Sequence, residues 1–209
     1  MSDSTFEKFQ KIPRLNRPIV TTEKIDGVNS QICIVHALDC DMEGWPMSKA
    51  MVCTGDWFIF AGSRNRFITP DDDHFGFAKW VLTNSSDLAK LGEGRHYGEW
   101  WGKGIQRNYG LDEKRFSLFN VGRWATDPNI GNPEFTAPPA CCHVVPILGG
   151  APTFQTEAVK CALRWLELNG SAAAPGFKKP EGVMIYHSAA NSMFKVTLLK
   201  DEERKGKQS

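Results

Sequence analysis

Hydrophobic and polar positions divide the chain into short strand-like runs and two helix-like stretches. Gln31-Ile32-Cys33-Ile34-Val35 has the β-branched, alternating character of a strand, and Val52 to Ala61 reads as another. Tyr97 to Trp101 and Phe116 to Val121 predict two more. After Pro70 the period lengthens. Asp71-Asp72-Asp73 put carboxylates where a helix N-terminus favours them, and Phe75, Ala78, Val81 and Leu82 follow at helical spacing. A second helix is predicted from Thr156 to Leu168, with Val159, Ala162, Leu163 and Leu166 on one face and Asn169-Gly170 as its stop. The proline-rich residues 127–139 and the Ala, Gly and Pro-rich Ser171 to Pro180 read as loops. Val183 to Tyr186 and Met193 to Leu199 complete the pattern as strands. The result is an α+β chain with more strand than helix.

Composition adds bounds rather than chemistry. With 209 residues, 41% of them apolar and 23% charged, one domain over 1–209 is expected, with 1–18 as an N-terminal extension and 201–209 as a charged tail. A net charge of +1 is not that of a strongly basic nucleic-acid binder, so any positive surface must be local. The polar N-terminus, broken by Pro13, is no signal peptide, and no apolar run is long enough to span a membrane. The expected location is cytoplasmic. Cysteines 33, 40, 53, 141, 142 and 161 form no C-x-x-C pair, which favours reduced thiols over a zinc site.

Chemistry enters at Thr21-Thr22-Glu23-Lys24-Ile25-Asp26-Gly27-Val28-Asn29, where a lysine stands before a glycine turn with carboxylates on both sides. By itself this fits a charged β-turn as well as a nucleophile. A free lysine is nearly all ammonium at neutral pH and must lose a proton to attack phosphorus. Further segments follow in order: Gly62-Ser63-Arg64, Tyr97-Gly98-Glu99-Trp100-Trp101-Gly102, Phe116-Ser117-Leu118-Phe119-Asn120-Val121, Glu181-Gly182-Val183-Met184 and Phe194-Lys195-Val196. Together, from about residue 19 to 200, these resemble the nucleotidyltransferase motifs of the covalent ligase and capping-enzyme superfamily. The wording of G-E-W-W-G-K-G-I-Q and E-G-V-M-I-Y is most similar to the nick-sealing RNA ligase branch.

The resemblance implies an adenylyltransferase (ATP-grasp-like ligase catalytic) domain: two antiparallel sheets with flanking helices and the nucleotide in the cleft between them. It implies ATP as AMP donor, with Mg2+ or Mn2+. Lys24 would attack the α-phosphorus to give lysyl-AMP, with Asp26, Glu181 and Lys195 completing the catalytic group. Lys24 would sit in the turn between two strands, facing Glu181 and Lys195 across the cleft. Glu23, Gly27, Arg64, Glu99, Phe119 and Lys195 would hold the nucleotide: Glu23 at the adenine, Arg64 at ribose or phosphate, Glu99 at the ribose hydroxyls, and Phe119 (in preference to Phe116) stacked on the base. Glu181 would hold the metal. The polynucleotide, carrying 5′-phosphate and 3′-hydroxyl ends and with RNA favoured, would meet Asn29, Lys103 and Arg107. Lys114, Arg115, Arg123, Lys178, Lys179 and the tail cations Arg204, Lys205 and Lys207 are further candidates, and Trp100 and Trp101 would offer a base-stacking face.

Two departures stand out. Motif V usually carries a second lysine where Thr197 stands, and nick-sealing RNA ligases often have His in place of Asp26. A DNA ligase of the same superfamily, or a binding module with reduced turnover, therefore stays open. Only fourteen residues follow Lys195, so no OB domain is expected, and a separate end-processing partner protein would be compatible with such a chain.

Overall fold

In the computed structural model, residues 7, 9–36, 46–50, 52–54, 57–124 and 137–198 are described. Along the chain the strands are β1 (Ile19–Lys24), β2 (Val28–His36), β3 (Val52–Thr54), β4 (Trp57–Ser63), β5 (Phe67–Ile68), β6 (Gly94–Gly102), β7 (Lys114–Leu118), β8 (Cys142–Val144), β9 (Ile147–Ala151), β10 (Gly182–His187) and β11 (Ser192–Thr197). The helices are α1 (Phe77–Thr83), α2 (Ser85–Leu88), α3 (Val121–Trp124) and α4 (Thr156–Asn169). Leu199, Lys200 and the tail lie outside the described residues, as does most of the predicted 127–139 loop. No helix among the described residues is long and apolar enough to cross a membrane.

The strands form two sheets. One has the order β11-β10-β1-β9, all antiparallel. The other runs β3-β4-β2-β6-β7-β8, with β5 on β4. Its last pair, β7 with β8, is parallel, with Phe116 opposite Cys142. The expectation of two wholly antiparallel sheets is thereby corrected. A parallel pair needs a long connection, and the two strands are separated by residues 119–141 of the sequence.

Three of the four buried clusters among the described residues position the site. Phe77, Ala78 and Val81 of α1 and Leu88 of α2 pack on Ile32, Ile59, Ala61, Trp100 and Phe116 of the second sheet. Val159, Ala162 and Leu166 of α4 cover Ile19, Val183 and Ile185 of the first. A smaller core of Ile25, Trp101, Tyr109, Val145 and Ala174 joins the two sheets.

Several predicted boundaries move. The helix expected after Pro70 begins only at Phe77, because Phe75 (φ 53°) and Gly76 (φ 79°) turn the chain through the left-handed region. The acidic run still serves that helix. Asp73 accepts the backbone N–H groups of Ala78 (2.8 Å) and Lys79 (3.1 Å), satisfying donors that a helix start leaves open. The expected strand over 52–61 is two strands paired antiparallel, with Thr54 opposite Trp57. β7 ends at Leu118, and Val121 already belongs to α3. Strands β8 and β9, separated by Pro146, are too short to show a period in the sequence.

Candidate active site

Strand alternation sorts the first sheet into two faces. Ile19, Thr21 and Glu23 share one face with Val183 and Ile185, under α4. Thr22, Lys24, Met184, Met193 and Lys195 point the other way, into a cleft of about 910 Å³. The second sheet supplies the opposite wall, with Asn29 on β2, Glu99 on β6, Ser63 to Arg66 at the end of β4, and Phe119 just past β7.

Lys24 is the last residue of β1, paired with Gly182, and its Nζ donates to Glu181 Oε2 at 2.6 Å. Glu181 is held by its own carbonyl, which accepts the Leu198 N–H at 2.9 Å. Its carboxylate meets the cleft beside the Lys24 ammonium. The expected placement of Lys24 in a turn, with Glu181 and Lys195 across the cleft, is therefore corrected. β10 lies beside β1 and β11 beside β10, so all three residues belong to one sheet, and Glu99 and Asn29 are what lies opposite. Register adds a further point. Lys24, Gly182 and Thr197 form one row across the sheet, whereas Lys195 lies in the next row with Met184 and Thr22. Thr197 thus faces the same way as Lys24, with only a glycine between them.

Glu99 is 7% exposed. Its Oε1 accepts the Gly27 N–H (3.0 Å) and its Oε2 accepts the Asn29 amide (2.8 Å), which fixes the carboxylate against the turn after Lys24. Burial pushes the Glu99 carboxyl up to about 7; Lys24, Asn29 and the Gly27 N–H pull it back, and Glu181 adds to the rise. The sign for stability follows. A folded value above the unfolded 4.5 stabilises the fold fully below about pH 4.5, and that contribution is lost as the pH rises through about 7. Glu99→Gln, which keeps an acceptor for Gly27 without the charge, should gain on the order of 2–3 kcal/mol over wild type at pH 8. Its melting temperature should exceed wild type by several degrees at pH 8 and match it at pH 4.5. Equal melting at pH 8 would contradict this burden of burial.

Other expected residues take different places. Glu23 is among the residues lining the cleft, while its carboxylate is held on the other face of the sheet. It is 1% exposed, accepts the N–H groups of Ala172 (2.8 Å) and Ala173 (2.9 Å), and its carboxyl is raised by burial. Asp26 does not line the cleft but pairs with Arg107 Nε at 2.8 Å. Arg64, Phe119 and Lys195 line the cleft, and Lys103 lies in the turn beyond β6, away from it. Trp100 and Trp101 are 2% and 1% exposed, so the expected stacking face is corrected. Trp100 donates to the Phe75 carbonyl and Trp101 to Ser117 Oγ. Phe116 is likewise core, while Phe119, three residues on, reaches the cleft. Among the other basic candidates, Lys114 donates to the Phe75 carbonyl, Arg115 pairs with Glu113, Arg123 stacks on Trp124 and Lys178 donates to the Asn169 carbonyl. The tail cations lie outside the described residues.

Sequence reasoning missed Arg66, His74 and Met184 in the cleft wall, and Tyr109 behind it. Met184 was legible from its parity with Lys195 once β10 and β11 are paired. Tyr109 carries no such signal.

A family model described as RNA ligase matches residues 17–197, far more than half of the chain. No curated protein matches. Structures of a Naegleria gruberi RNA ligase superpose on this fold: an apo variant with a TM-score of 0.50 at 19% identity, a variant with ATP and Mn with 0.51 at 18%, and one with AMP and Mn with 0.50 at 19%. The match covers 87–88% of this chain and 49–50% of the Naegleria chain, so the protein spans about half the length of those structures. At such identity the likeness is one of fold. The matched span contains every residue of the cleft, and the chain belongs to the RNA ligase family.

Proposed function

We propose that the protein is an ATP-dependent RNA ligase working through a lysyl-AMP intermediate on Lys24. The observation that carries this reading is a lysine at a strand end, held by one carboxylate at 2.6 Å and facing a second, Glu99, across a cleft large enough for a nucleotide. Lys24 Nζ, after losing a proton, bonds to the α-phosphorus of ATP as the bond to pyrophosphate breaks. AMP then passes to a 5′-phosphate, and a 3′-hydroxyl attacks that phosphate and expels AMP. Lys195 offers positive charge for the phosphate, Phe119 a ring for the adenine, Glu99 acceptors for the ribose hydroxyls, and Arg64 a fork for ribose or phosphate. Asn29, in the cleft wall, would meet the polynucleotide, with Lys103 as a candidate contact farther from the nucleotide.

Among the described residues no cluster of three or more metal-ligating side chains exists. Mg2+ or Mn2+ takes one or two carboxylates and completes its shell with water and phosphate oxygens. Glu181 would hold it, and the bound cation supplies charge neutralisation at the phosphates. Structures of the Naegleria ligase with ATP and Mn support the same choice of cofactors.

Thr197 in the Lys24 row favours one second reading, a nucleotide-binding domain with slow or lost turnover. A panel of nicked RNA, DNA and hybrid duplexes separates these readings. The proposal expects sealing that favours RNA, needs ATP and a divalent cation, and falls at least ~10³-fold in Lys24→Ala. Preferred sealing of all-DNA nicks would make the protein a DNA ligase, and ATP binding with no sealing of any substrate would support the binding module.

A further inference from the structure

We propose that Arg107 is a positioning residue for the adenylation step, a brace that holds the segments bearing Lys24 and Glu181 together from behind the cleft. The inference rests on the reading of Lys24 as the adenylated residue. One guanidinium makes two bonds: Nε donates to Asp26 Oδ2 at 2.8 Å and Nη1 to the Lys179 carbonyl at 3.1 Å. Asp26 stands two residues after Lys24 and Lys179 two residues before Glu181. The brace thus touches both flanks of the 2.6 Å ion pair without touching the pair itself. Both flanks need it. Residues 25–27 form the turn after β1, and 177–181 have no regular structure of their own.

The brace is itself anchored. Gln106, Asn108 and Tyr109 have φ of 42°, 60° and 51°, three non-glycine residues in the left-handed region within four positions. Such a backbone persists only where its surroundings over-determine it. Here Asn108 Oδ1 accepts the Gly104 N–H at 2.8 Å, and Tyr109, 2% exposed, packs on Trp101 and Phe177. The Tyr109 hydroxyl accepts the Asp26 N–H at 2.8 Å, so the loop grips Asp26 by backbone and side chain together. Arginine suits the task because its planar fork reaches a carboxylate and a carbonyl at once, which a lysine cannot do with the same geometry. Two of its five N–H groups are committed in this way, which gives Arg107 a task within the fold apart from the RNA contact its sequence position suggests.

The test compares Arg107→Ala, Arg107→Lys and Asp26→Asn in two assays. One is single-turnover lysyl-AMP formation without RNA at several ATP concentrations; the other is sealing of RNA that already carries a 5′-adenylate. Arg107→Ala should lower the maximal rate of lysyl-AMP formation by about 10²-fold, the scale of a small misplacement of reacting groups, with half-saturating ATP little changed. Arg107→Lys should recover part of the rate. Asp26→Asn, the milder change should Arg107→Ala fold poorly, should slow labelling too, and adding it to Arg107→Ala should cost nothing further. Normal labelling with loss only of the RNA-sealing step would make Arg107 an RNA contact and overturn the brace, and so would additive losses. If wild type itself takes no label, the reading of Lys24 has failed. The brace is then judged by amide exchange at residues 25–27 and 178–182, which must quicken in Arg107→Ala; unchanged exchange there would sink it.

Discussion

Replacing Glu181 with glutamine is expected to slow lysyl-AMP formation by about 10³-fold while leaving the melting temperature close to wild type. The carboxylate has two tasks in this site. It fixes the Lys24 ammonium at 2.6 Å, so that the nitrogen starts in one orientation rather than sampling the cleft. In the proposed mechanism it also supplies a charged oxygen for the divalent cation. Glutamine has nearly the same shape, and the backbone tie from the Leu198 N–H to the residue 181 carbonyl is unaffected, so the fold should survive. Glutamine also keeps a carbonyl acceptor for the Lys24 ammonium, so this largely buried pair, at 22% and 16% exposure, retains a hydrogen bond. The measurement is the rate of label incorporation from α-labelled ATP under single-turnover conditions. A loss below tenfold would remove Glu181 from the mechanism.

The second large effect is expected at Gly27. A Cβ built there would lie 2.5 Å from the Trp100 carbonyl oxygen, 2.7 Å from Trp101 Cβ and 3.0 Å from Glu99 Cγ. Two of these neighbours are fixed by β6, which is paired on both sides. The turn therefore has to move, and moving it breaks the 3.0 Å bond from the Gly27 N–H to Glu99 and shifts Lys24, three residues earlier. Gly27→Ala should cost about 1–3 kcal/mol, the usual range for overpacking, and about 10²-fold in adenylation rate. Gly149→Ala is the matched control, since a Cβ there meets nothing within 4 Å. Its thermal melt and labelling rate should match wild type. A Gly27→Ala protein that labels at the wild-type rate would mean that the turn is free to move without consequence.

The sequence disclosed the site better than the fold. Lys24, Glu99, Phe119 and Lys195 were legible because each stands in a segment of recognisable wording, and strand parity then separates Phe119 from Phe116. Which strands are neighbours was not legible. The placement of Glu181 and Lys195 across the cleft from Lys24 came with the resemblance and not from strand pairing, whereas β10 and β11 return to pair beside β1. The parallel β7–β8 pair was hidden for a related reason: it depends on a three-residue strand with no period. Trp100 and Trp101 misled because consecutive strand residues face opposite ways, which should expose at least one of them on a one-sided sheet. The second sheet is covered on both faces there, by α1 on one and by the core joining the sheets on the other. Asp26 and Arg107 show the limit most plainly. Sequence can name a charge beside a nucleophile, but only the fold says that the charge is already spent on a partner 81 residues away.

The most direct test of the central claim is to incubate adenylate-free protein with α-labelled ATP and Mg2+ or Mn2+, denature it, and map any bound AMP by peptide mass spectrometry. The account predicts an acid-labile AMP on the peptide containing Lys24, absent from Lys24→Ala. Label retained in Lys24→Ala, or AMP mapped to any other residue, would contradict it.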